Sequence, residues 1–346
     1  MQNIDISRLK INNKNNFIIH SADLKLTINH IDFWLEPIIH AKKDFSILVR
    51  DEINFKKLIK KYPKLQICYA KTPIDVETVL NAQSNLKIVL YTSNLAKNIH
   101  LLRFNHIKHI FIGTKNSDWL SQYNKSYRAY DEFWVGGEFV IDKIKDEIKN
   151  IGHLKFKIIG KPQLKEVINS KYREEKSNMI LIDNENELLL AQVYFANKFL
   201  NNKMYIYLSN DKKVIKADLL NVAKSHNFTN KIQIFNDKSL LDEFANRVSL
   251  IITDLKNLNP YLLQYNIPIL VNIEKENDKY LIDIDILRDS LYYFSNKDEL
   301  VEILNEIRDV DRLKKIREIN LNKFFNQQAI LEDKFSTTVT ECLLEH

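Results

Sequence analysis

Glycine is rare in this chain: only five of its 346 residues are glycine, and all five lie between positions 113 and 160. Because no glycine follows Gly160, the second half contains neither the G-x-G-x-x-G dinucleotide fingerprint nor a phosphate-binding P-loop. This absence argues against a dehydrogenase and against a nucleoside triphosphatase. Glycines that follow strands mark points where the backbone turns sharply or approaches another group closely. We expect such points at the end of the first half, where the glycines gather.

Cysteine and long apolar runs are also scarce. Cys68 and Cys342 lie far apart in sequence and form neither a metal-ligand spacing nor a disulfide framework, and Cys68 sits in an apolar run that predicts a buried side chain. No run approaches the roughly 20 apolar residues that span a bilayer, and the N-terminus does not resemble a signal peptide. We therefore expect a cytoplasmic protein. Residues 344–346 resemble the start of an expression-tag scar and are expected to lie outside the fold.

Negative charge is relatively low in the first half. The formal net charge of the chain is +6; residues 1–155 carry +8 and the remainder carries −2. A basic first half favours an anionic partner, including peripheral association with an anionic membrane face. The alternative is that these lysines lie on solvated helix faces. No DNA- or RNA-binding motif is present, so nucleic acid is not an expected partner.

Short apolar runs alternate with amphipathic helical patterns along the whole chain. Runs such as Ile88–Tyr91 are almost continuously apolar, as parallel strands buried on both faces are. In the first half the predicted strands are Phe17–His20, Phe45–Arg50, Leu65–Ala70, Lys87–Thr92, His109–Gly113 and Glu132–Gly137. In the second half they are Phe156–Gly160, Met179–Asp183, Met204–Leu208, Ile232–Phe235, Leu250–Thr253, Ile267–Asn272 and Leu291–Phe294.

This alternation predicts an α/β fold with two Rossmann-like doubly wound domains that face each other across a cleft. The predicted domains are residues 1–155 and 156–309, followed by a C-terminal helical segment at 310–343. In open parallel sheets, ligands bind at the carboxyl ends of the strands. The expected site is therefore the cleft between the two domains.

Polar side chains are densest after two strands of the first domain. One group follows the strand Lys87–Thr92, and the other follows Gly113, where a helix N-terminus would suit a phosphate. An ordinary βα loop is the alternative for each group. The candidate substrate-binding residues are Asn94, Lys97, Arg103, Thr114 and Ser117, and the candidate catalytic residues are His100 and Asp118.

Several segments, in their order and spacing, resemble the CDP-glycerol glycerophosphotransferase family of teichoic-acid and capsule enzymes. The resemblance covers most of residues 30–320 and implies a GT-B fold without a cofactor or a metal. It implies a first domain that binds an anionic glycan or lipid-linked acceptor, and a second domain that binds a CDP-activated donor such as CDP-glycerol. The segments that carry it are Asn94–Phe104, His109–Asp118, Tyr130–Gly137, Ile159–Leu164, Ile251–Asp254 and Ile267–Ile269.

The same resemblance implies a donor site at the start of the second domain and after one of its strands. Gly160 and Pro162 belong to the segment that is similar to the family's "VGRPQL" start of that domain. Asp254 belongs to the segment that is similar to "LITDYSS". After Asp254, side chains that can donate hydrogen bonds or meet a diphosphate stand at Lys256, Asn257 and Asn259.

Two departures from the family pattern bear on mechanism. The family's loop histidine, the expected base, falls on Thr114, and a threonine hydroxyl cannot act as a general base near neutral pH. The tandem serines that follow Asp254 in the family are replaced here. Two functions therefore stay open: a transferase that moves glycerol phosphate or a related group from a nucleotide donor, and a catalytically degenerate GT-B protein. The latter would serve as a binding or partner subunit in cell-surface polysaccharide synthesis.

Overall fold

The computed structural model describes residues 14–114, 123–165, 179–183, 203–207, 232–235, 248–255, 258, 260–273 and 285–345. The chain divides into two compact units. The first consists of Met1–Lys165 together with Lys323–His346, and the second consists of Glu166–Asn322. Each unit is built on one parallel sheet, so the predicted pair of Rossmann-like α/β domains is confirmed.

The first unit contains a seven-stranded sheet in the order β3-β2-β1-β4-β5-β6-β7, and every neighbouring pair is parallel. The strand order reverses between β1 and β4, and at such a switch point the loops leave on opposite faces and open a crevice for a ligand. The strands are β1 Phe17–Ser21, β2 Phe45–Val49, β3 Ile67–Tyr69, β4 Ile88–Tyr91, β5 Lys108–Phe111, β6 Glu132–Val135 and β7 Lys155–Ile158.

Helices cover both faces of this sheet. Along β1, Ile18 enters one apolar cluster while Phe17 and Ile19 enter the other, because successive side chains of a strand point to opposite faces. Side-chain caps start two of the helices: Asp51 accepts a hydrogen bond from the Asn54 amide, and Thr72 begins a capping box. The helices are α1 Thr27–His40, α2 Glu52–Lys61, α3 Pro73–Asn81, α4 Ile99–Leu102 and α5 Glu138–Glu147.

The second unit contains a six-stranded parallel sheet in the order β10-β9-β8-β11-β12-β13, which repeats the first sheet without its last strand. Its switch point lies between β8 and β11. The sequence pattern also predicts helices at Glu187–Leu200, Val214–Ser225 and Ser239–Asn246, and these lie outside the described residues. The strands are β8 Met179–Asp183, β9 Lys203–Tyr207, β10 Ile232–Phe235, β11 Leu250–Asp254, β12 Ile269–Asn272 and β13 Tyr292–Phe294.

The boundary between the units differs from the predicted one. The strand predicted to open the second domain is β7, which pairs with β6 and closes the first sheet. A boundary between residues 155 and 156 would therefore cut this strand. The sequence of β7, Lys-Phe-Lys-Ile, alternates charged and apolar side chains, as edge strands do. The alternation of charged and apolar residues predicts such a strand but does not indicate which sheet the strand joins.

The C-terminal helices also divide between the units. The segment predicted as one helical piece contains α8, which crosses the boundary at Asn322, and two helices that belong to the first unit. Phe335 packs its ring against both Trp34 and Trp134, with centroids 5.4 and 6.2 Å apart. Glu345, expected to lie in a tag scar, bonds to Lys108 at 3.2 Å. The helices after β12 are α6 Asp285–Arg288, α7 Lys297–Asp309, α8 Lys314–Phe325, α9 Gln327–Leu331 and α10 Lys334–Leu344.

The glycines after β6 and β7 make room for this C-terminal segment. A Cβ atom on Gly137 would lie 2.2 Å from the Lys323 carbonyl oxygen, and one on Gly160 would lie 2.5 Å from Cγ1 of Ile330. Gly160 also has a φ of +69°, in the left-handed region that favours glycine. The close approach predicted from the glycines is therefore an approach of the chain to itself.

The prediction that Cys68 is buried is confirmed. Cys68 and Cys342 are both buried as free thiols, and burial raises the pKa of Cys68 to about 11. No helix among the described residues is both long and apolar enough to cross a membrane.

Candidate functional site

The candidate site lies at the carboxyl edge of the first sheet, around its switch point. His20 is near the end of β1, Arg50 follows β2, and His100 lies in α4 after β4. Arg50 and His20 lie on the same face of the sheet, and Arg50 Nη2 is 2.8 Å from His100 Nδ1. Three chain segments that are distant in sequence therefore bring a guanidinium and two imidazoles to one edge.

Arg50 is almost fully buried and holds three loops together. Its Nε donates to the Ala70 carbonyl at 2.5 Å, Nη1 to that of Lys97 at 3.1 Å, and Nη2 to that of Lys71 at 3.2 Å. Burial lowers the pKa of Arg50, with Asp75 and Tyr69 opposing the shift, yet a guanidinium stays charged in proteins. The site thus contains a fixed positive charge at the carboxyl edge.

The contact with Arg50 decides which nitrogen of His100 carries its proton. A guanidinium only donates hydrogen bonds, so His100 Nδ1 accepts and the neutral ring carries its proton on Nε2. Burial lowers the pKa of His100, and the charges of Arg50, Arg103 and Lys97 lower it further. At neutral pH His100 is therefore a hydrogen-bond donor through Nε2. This arrangement does not favour the general-base role predicted from its sequence position.

His20 is buried beside this pair. Its ring meets Tyr91 edge-on at 5.4 Å, and neither ring nitrogen has a hydrogen-bond partner in the described part of the chain. Burial, then the charges of Arg50 and His100, lower the pKa of His20 to about 3, so the ring is neutral. Ser93 Oγ and Asn98 Oδ1, on the loop after β4, are likewise buried without a partner.

Such unpartnered atoms are costly. An unsatisfied buried polar atom costs on the order of 1–3 kcal/mol, and most buried polar groups in proteins have a partner. Four such atoms, on His20, Ser93 and Asn98, lie at the ends of β1 and β4, where the strand order reverses. The reversal of strand order and these unpartnered buried atoms therefore indicate the same edge of the sheet.

A hydrogen-bond network fixes the loop after β4. Tyr130 Oη donates to Asn94 Oδ1 at 3.0 Å and accepts from Asn98 Nδ2 at 2.9 Å. Asn94 Nδ2 donates to Ser126 Oγ at 2.7 Å, and Asn98 Nδ2 also donates to the Ser93 carbonyl at 2.7 Å. Burial raises the pKa of Tyr130, which keeps its hydroxyl protonated as a donor. Asn94, predicted to bind substrate, is therefore held in place at the edge of the site.

The other predicted residues of the first unit lie at different distances from this cluster. Lys97 is half-buried beside Arg50, and its ammonium makes no ion pair within the described residues. Arg103 lies on the surface, where it pairs with Glu77 at 3.0 Å, and is not part of the cluster. Thr114 follows Gly113, whose carbonyl accepts a hydrogen bond from Trp34 Nε1 at 2.7 Å. Ser117 and Asp118 lie outside the described residues.

Two residues predicted to bind the donor belong to the first unit instead. Gly160 packs against Ile330, and Pro162 begins a 3₁₀ turn in which Gln163 donates to the Phe33 carbonyl at 3.0 Å. Both positions follow β7, which the sequence assigned to the second domain. Their conformation is explained by packing within the first unit, and a role for either residue in donor binding stays a prediction.

At the second sheet, Asp254 ends β11 beside the switch point with β8. Its carbonyl accepts from the Leu258 amide at 3.1 Å, which folds the chain into a turn directly after the strand. Asp254 thus lies at the ligand-binding edge that its sequence position predicts. The neighbouring candidates Lys256, Asn257 and Asn259 lie outside the described residues. No group of three metal-ligating side chains occurs among the residues that the structure describes.

Sequence patterns did not identify His20, Arg50 or Tyr130 as site residues. His20 and Arg50 each come at the end of an apolar strand, where a polar residue looks like an ordinary strand boundary. For His20 and Arg50 the signal was their position, because each stands at the carboxyl end of a strand at or next to the centre of a parallel sheet, whereas Tyr130 precedes β6.

No protein-family model and no curated protein matches the sequence. Solved structures do match. The UDP-GlcNAc 2-epimerase from Neisseria meningitidis bound to UDP-GlcNAc has a TM-score of 0.62 at 11% identity, covering 96% of this chain and 100% of its own. The UDP-GlcNAc 2-epimerase from Methanocaldococcus jannaschii has a TM-score of 0.58 at 12% identity, covering 94% of this chain and 99% of its own.

A third match is the wall teichoic acid polymerase TagF with CDPG, which has a TM-score of 0.55 at 10% identity and covers 97% of this chain and 89% of its own. Identities this low carry information about the fold only. The fold implied by the sequence resemblance is thereby confirmed, whereas membership of the CDP-glycerol family stays a prediction. Two parallel sheets of matching strand order, and neighbours of this kind over almost the whole chain, identify the fold as GT-B.

Proposed function

We propose that this protein is a transferase that moves glycerol phosphate, or a related alditol phosphate or sugar, from a nucleotide-activated donor to an anionic glycan acceptor. The acceptor would be of the teichoic-acid or capsule type, and the donor CDP-activated. The observation that carries the proposal is the cationic, polar cluster around Arg50 and His100 at the switch point of a GT-B first domain. Neighbours of the same fold bound to UDP-GlcNAc or CDPG support a nucleotide donor.

The first unit supplies the groups that an anionic acceptor needs. The Arg50 guanidinium provides a fixed charge, His100 offers Nε2–H, and the Lys97 ammonium has no ion pair among the described residues. Charge-assisted hydrogen bonds of this kind bind phosphate oxygens strongly. In phosphoryl transfer, positioning and charge compensation account for most of the catalysis. His100 would thus orient the acceptor and stabilise its charge.

The second unit would bind the donor at the edge between β8 and β11. Asp254 would accept hydrogen bonds from donor hydroxyl groups, and Lys256, Asn257 and Asn259 would meet the diphosphate. Attack by an acceptor hydroxyl on the donor β-phosphorus would release CMP. With Nδ1 of His100 occupied by Arg50, Asp118 is the candidate that remains for the base, and Thr114 and Ser117 would bind substrate beside it.

One observation favours a second function. The position of the family's histidine is Thr114, and His100 lacks a free basic nitrogen, so neither position carries a base. A GT-B protein that binds its nucleotide without turnover, as a partner subunit in polysaccharide synthesis, fits this loss. Binding and turnover must therefore be measured separately.

Isothermal titration calorimetry with CDP-glycerol, CMP and UDP-GlcNAc tests the nucleotide site, and binding of none of them would refute both functions. CMP release from CDP-glycerol then tests turnover. Asp118→Asn should abolish release while donor binding persists, whereas Asp142→Asn, which changes an exposed carboxylate on α5, should alter neither. Binding without release by the unmodified protein would support the partner subunit. Full release by Asp118→Asn would show that Asp118 is not the base.

A further inference from the structure

Arg50 is a buried cation that no carboxylate pairs with in the described part of the chain. Its side chain is 2% exposed, and all of its hydrogen-bond partners there are uncharged. Buried charges in proteins are nearly always paired, because an uncompensated charge in a protein interior is strongly destabilising. The charge of Asp75 does act on Arg50, but the Asp75 carboxylate accepts hydrogen bonds from the backbone amides of Lys71 and Thr72. Arg50 therefore has the electrostatic character of an anion site.

One of the acceptors of Arg50 differs from the others. Three are main-chain carbonyls, those of Ala70, Lys71 and Lys97, and they fix the plane of the guanidinium. The fourth is Nδ1 of His100, which lies 2.8 Å from Arg50 Nη2 and belongs to a half-buried side chain. A half-buried side chain can rotate, whereas the three carbonyls can leave only if the backbone of their loops moves. His100 is thus the exchangeable acceptor in this set.

The groups around His100 also favour an anion. Burial lowers the pKa of His100, and the charges that lower it further, those of Arg50, Arg103 and Lys97, are all positive. The Lys97 ammonium has no ion pair among the described residues. His20 lies beside them, and its neutral ring carries one N–H that nothing in the described chain accepts. An oxyanion between Arg50 and His100 would therefore meet positive charge and unused hydrogen-bond donors.

We propose that His100 covers a latent oxyanion site, and that an anionic group of a ligand displaces His100 Nδ1 from Arg50 Nη2. A hydrogen bond from a guanidinium to a phosphate or carboxylate is roughly twice as strong as one between neutral groups, so an oxyanion is a better partner for Arg50 than a neutral imidazole. The released ring would lie next to the bound anion, where Nδ1 can take up a proton from solvent.

This exchange deepens the proposed transfer function and rests on it for the origin of the oxyanion, which would belong to the acceptor. While Nδ1 accepts from Arg50 it cannot be protonated, and His100 stays neutral. Once the anion has taken that place, His100 becomes an imidazolium and adds its charge to those of Arg50 and Lys97. The site would thus reach its full positive charge only with an anionic acceptor bound. An uncharged glycan would leave His100 on Arg50.

NMR of the full chain with isotope-labelled histidines tests the exchange, because ring nitrogen shifts distinguish a protonated nitrogen from an unprotonated one. The signal that disappears in His100→Gln identifies His100. Inorganic phosphate should protonate Nδ1 of His100 near neutral pH and increase the proton affinity of the ring at least about tenfold, since a nearby opposite charge favours the charged form. The exposed His106 should respond no more to phosphate than to sodium chloride of equal ionic strength.

Sodium acetate at the same ionic strength distinguishes the two kinds of oxyanion. A response to acetate equal to that to phosphate would assign a carboxylate to the site, and a response to phosphate alone would assign a phosphate. Arg50→Gln should increase the proton affinity of His100 without any added anion and abolish the phosphate response. Arg308→Gln removes an exposed charge from α7 and should retain that response. Thermal unfolding shows whether each variant is folded.

The unmodified protein alone can overturn the proposal, whatever the variants do. If neither phosphate nor acetate protonates Nδ1 of His100, or if chloride has the same effect, His100 does not cover an oxyanion site. Calorimetry with CDP-glycerol reports separately on the proposed function. If phosphate displaces His100 and no nucleotide binds, the oxyanion site stands and the transfer function is refuted.

Discussion

Buried polar groups have different partners at the two ends of the strands of the first sheet, the amino edge and the carboxyl edge. At the amino edge, Glu132 is buried between Lys108 at 2.7 Å and Lys157 at 3.6 Å, and it accepts from Trp134 Nε1 at 2.8 Å. At the carboxyl edge, both nitrogens of His20 are buried without a partner in the described chain.

Other polar side chains at the amino edge also have hydrogen-bond partners. Gln83 Oε1 accepts hydrogen bonds from Asn15 at 3.0 Å and Ser46 at 2.8 Å, and Lys87 Nζ donates to the Leu343 carbonyl at 2.8 Å. Burial raises the pKa of Glu132, but the bonds from Lys108 and Trp134 outweigh it and hold that pKa below its ordinary value. The charged groups named at this edge are paired and stabilise the fold, whereas His20 at the carboxyl edge is buried without a partner in the described chain, where a ligand is expected.

The largest expected effect is at the amino edge. Glu132→Ala removes the buried carboxylate and leaves Lys108 without its main partner, so it should lower the free energy of unfolding by about 4 kcal/mol. Urea denaturation measures this change. Glu345→Gln touches the same lysine from an exposed position and should leave the free energy of unfolding almost unchanged. Equal effects of the two substitutions would contradict the comparison.

The next effect concerns the glycine that follows β7. Gly160→Ala places a Cβ atom 2.5 Å from Ile330 Cγ1 at a φ of +69°, so it should cost about 3 kcal/mol of unfolding free energy. Gly152→Ala is the matched control, because its Cβ would meet nothing within 4 Å. In a protein that already carries Ile330→Ala, the substitution Gly160→Ala should cost less unfolding free energy. If Gly160→Ala instead weakened CDP-glycerol binding at unchanged stability, the prediction that Gly160 belongs to the donor site would be supported.

His20 should make the protein sensitive to acid. Its folded-state pKa of about 3 is below the ordinary value of 6.5, so its contribution to stability is present above pH 6.5 and lost as pH falls toward 3. Between pH 7.5 and pH 5 the loss should be about 2 kcal/mol. His20→Phe should remove that part of the pH dependence, whereas substitution of the exposed His106 by Gln should retain it. Parallel pH profiles of His20→Phe and the unmodified protein would refute this account.

The smallest expected effect is on ligand affinity. Lys97→Met removes a cation near Arg50 and should weaken binding of glycerol 3-phosphate about threefold at low salt, without a measurable change in stability. The difference should shrink as salt is added. Lys149→Met, which changes an exposed lysine after α5, should leave affinity unchanged. Calorimetry over a series of salt concentrations distinguishes the two, and an equal loss in both variants would show that the effect is not local.

Much of this fold could be predicted from sequence because its strands are buried on both faces. The apolar residues Phe17–Ile19 and Ile88–Tyr91 are fully buried for that reason, and both segments lie in predicted strands of a parallel sheet. α1 was harder to predict, since it begins without a side-chain cap and contains Pro37. The sheet that β7 joins could not be predicted either, because an edge strand pairs on one side only and its sequence does not identify that neighbour.

The site was predictable to a lesser degree. The sequence pointed to the loop after β4, and Asn94, Lys97 and His100 do lie there, at the carboxyl edge. It did not reveal that Arg50 occupies His100 Nδ1, which changes the role of that histidine. The protonation state and tautomer of His100 depend on the partner of each ring nitrogen. The partner of Nδ1 is Arg50, which follows β2 and lies 50 residues earlier in the sequence.

By itself, the sequence determined two parallel α/β domains, since alternating apolar runs and amphipathic helices have few other ways to bury their surfaces. It also indicated close contacts at the glycines that directly follow strands. Only the tertiary structure decided what they contact, because the C-terminal helices that pass over Gly137 and Gly160 come from more than 150 residues further along the chain. Likewise, only the folded sheet brought His20, Arg50 and His100 together, because that cluster depends on strand order and not on sequence order.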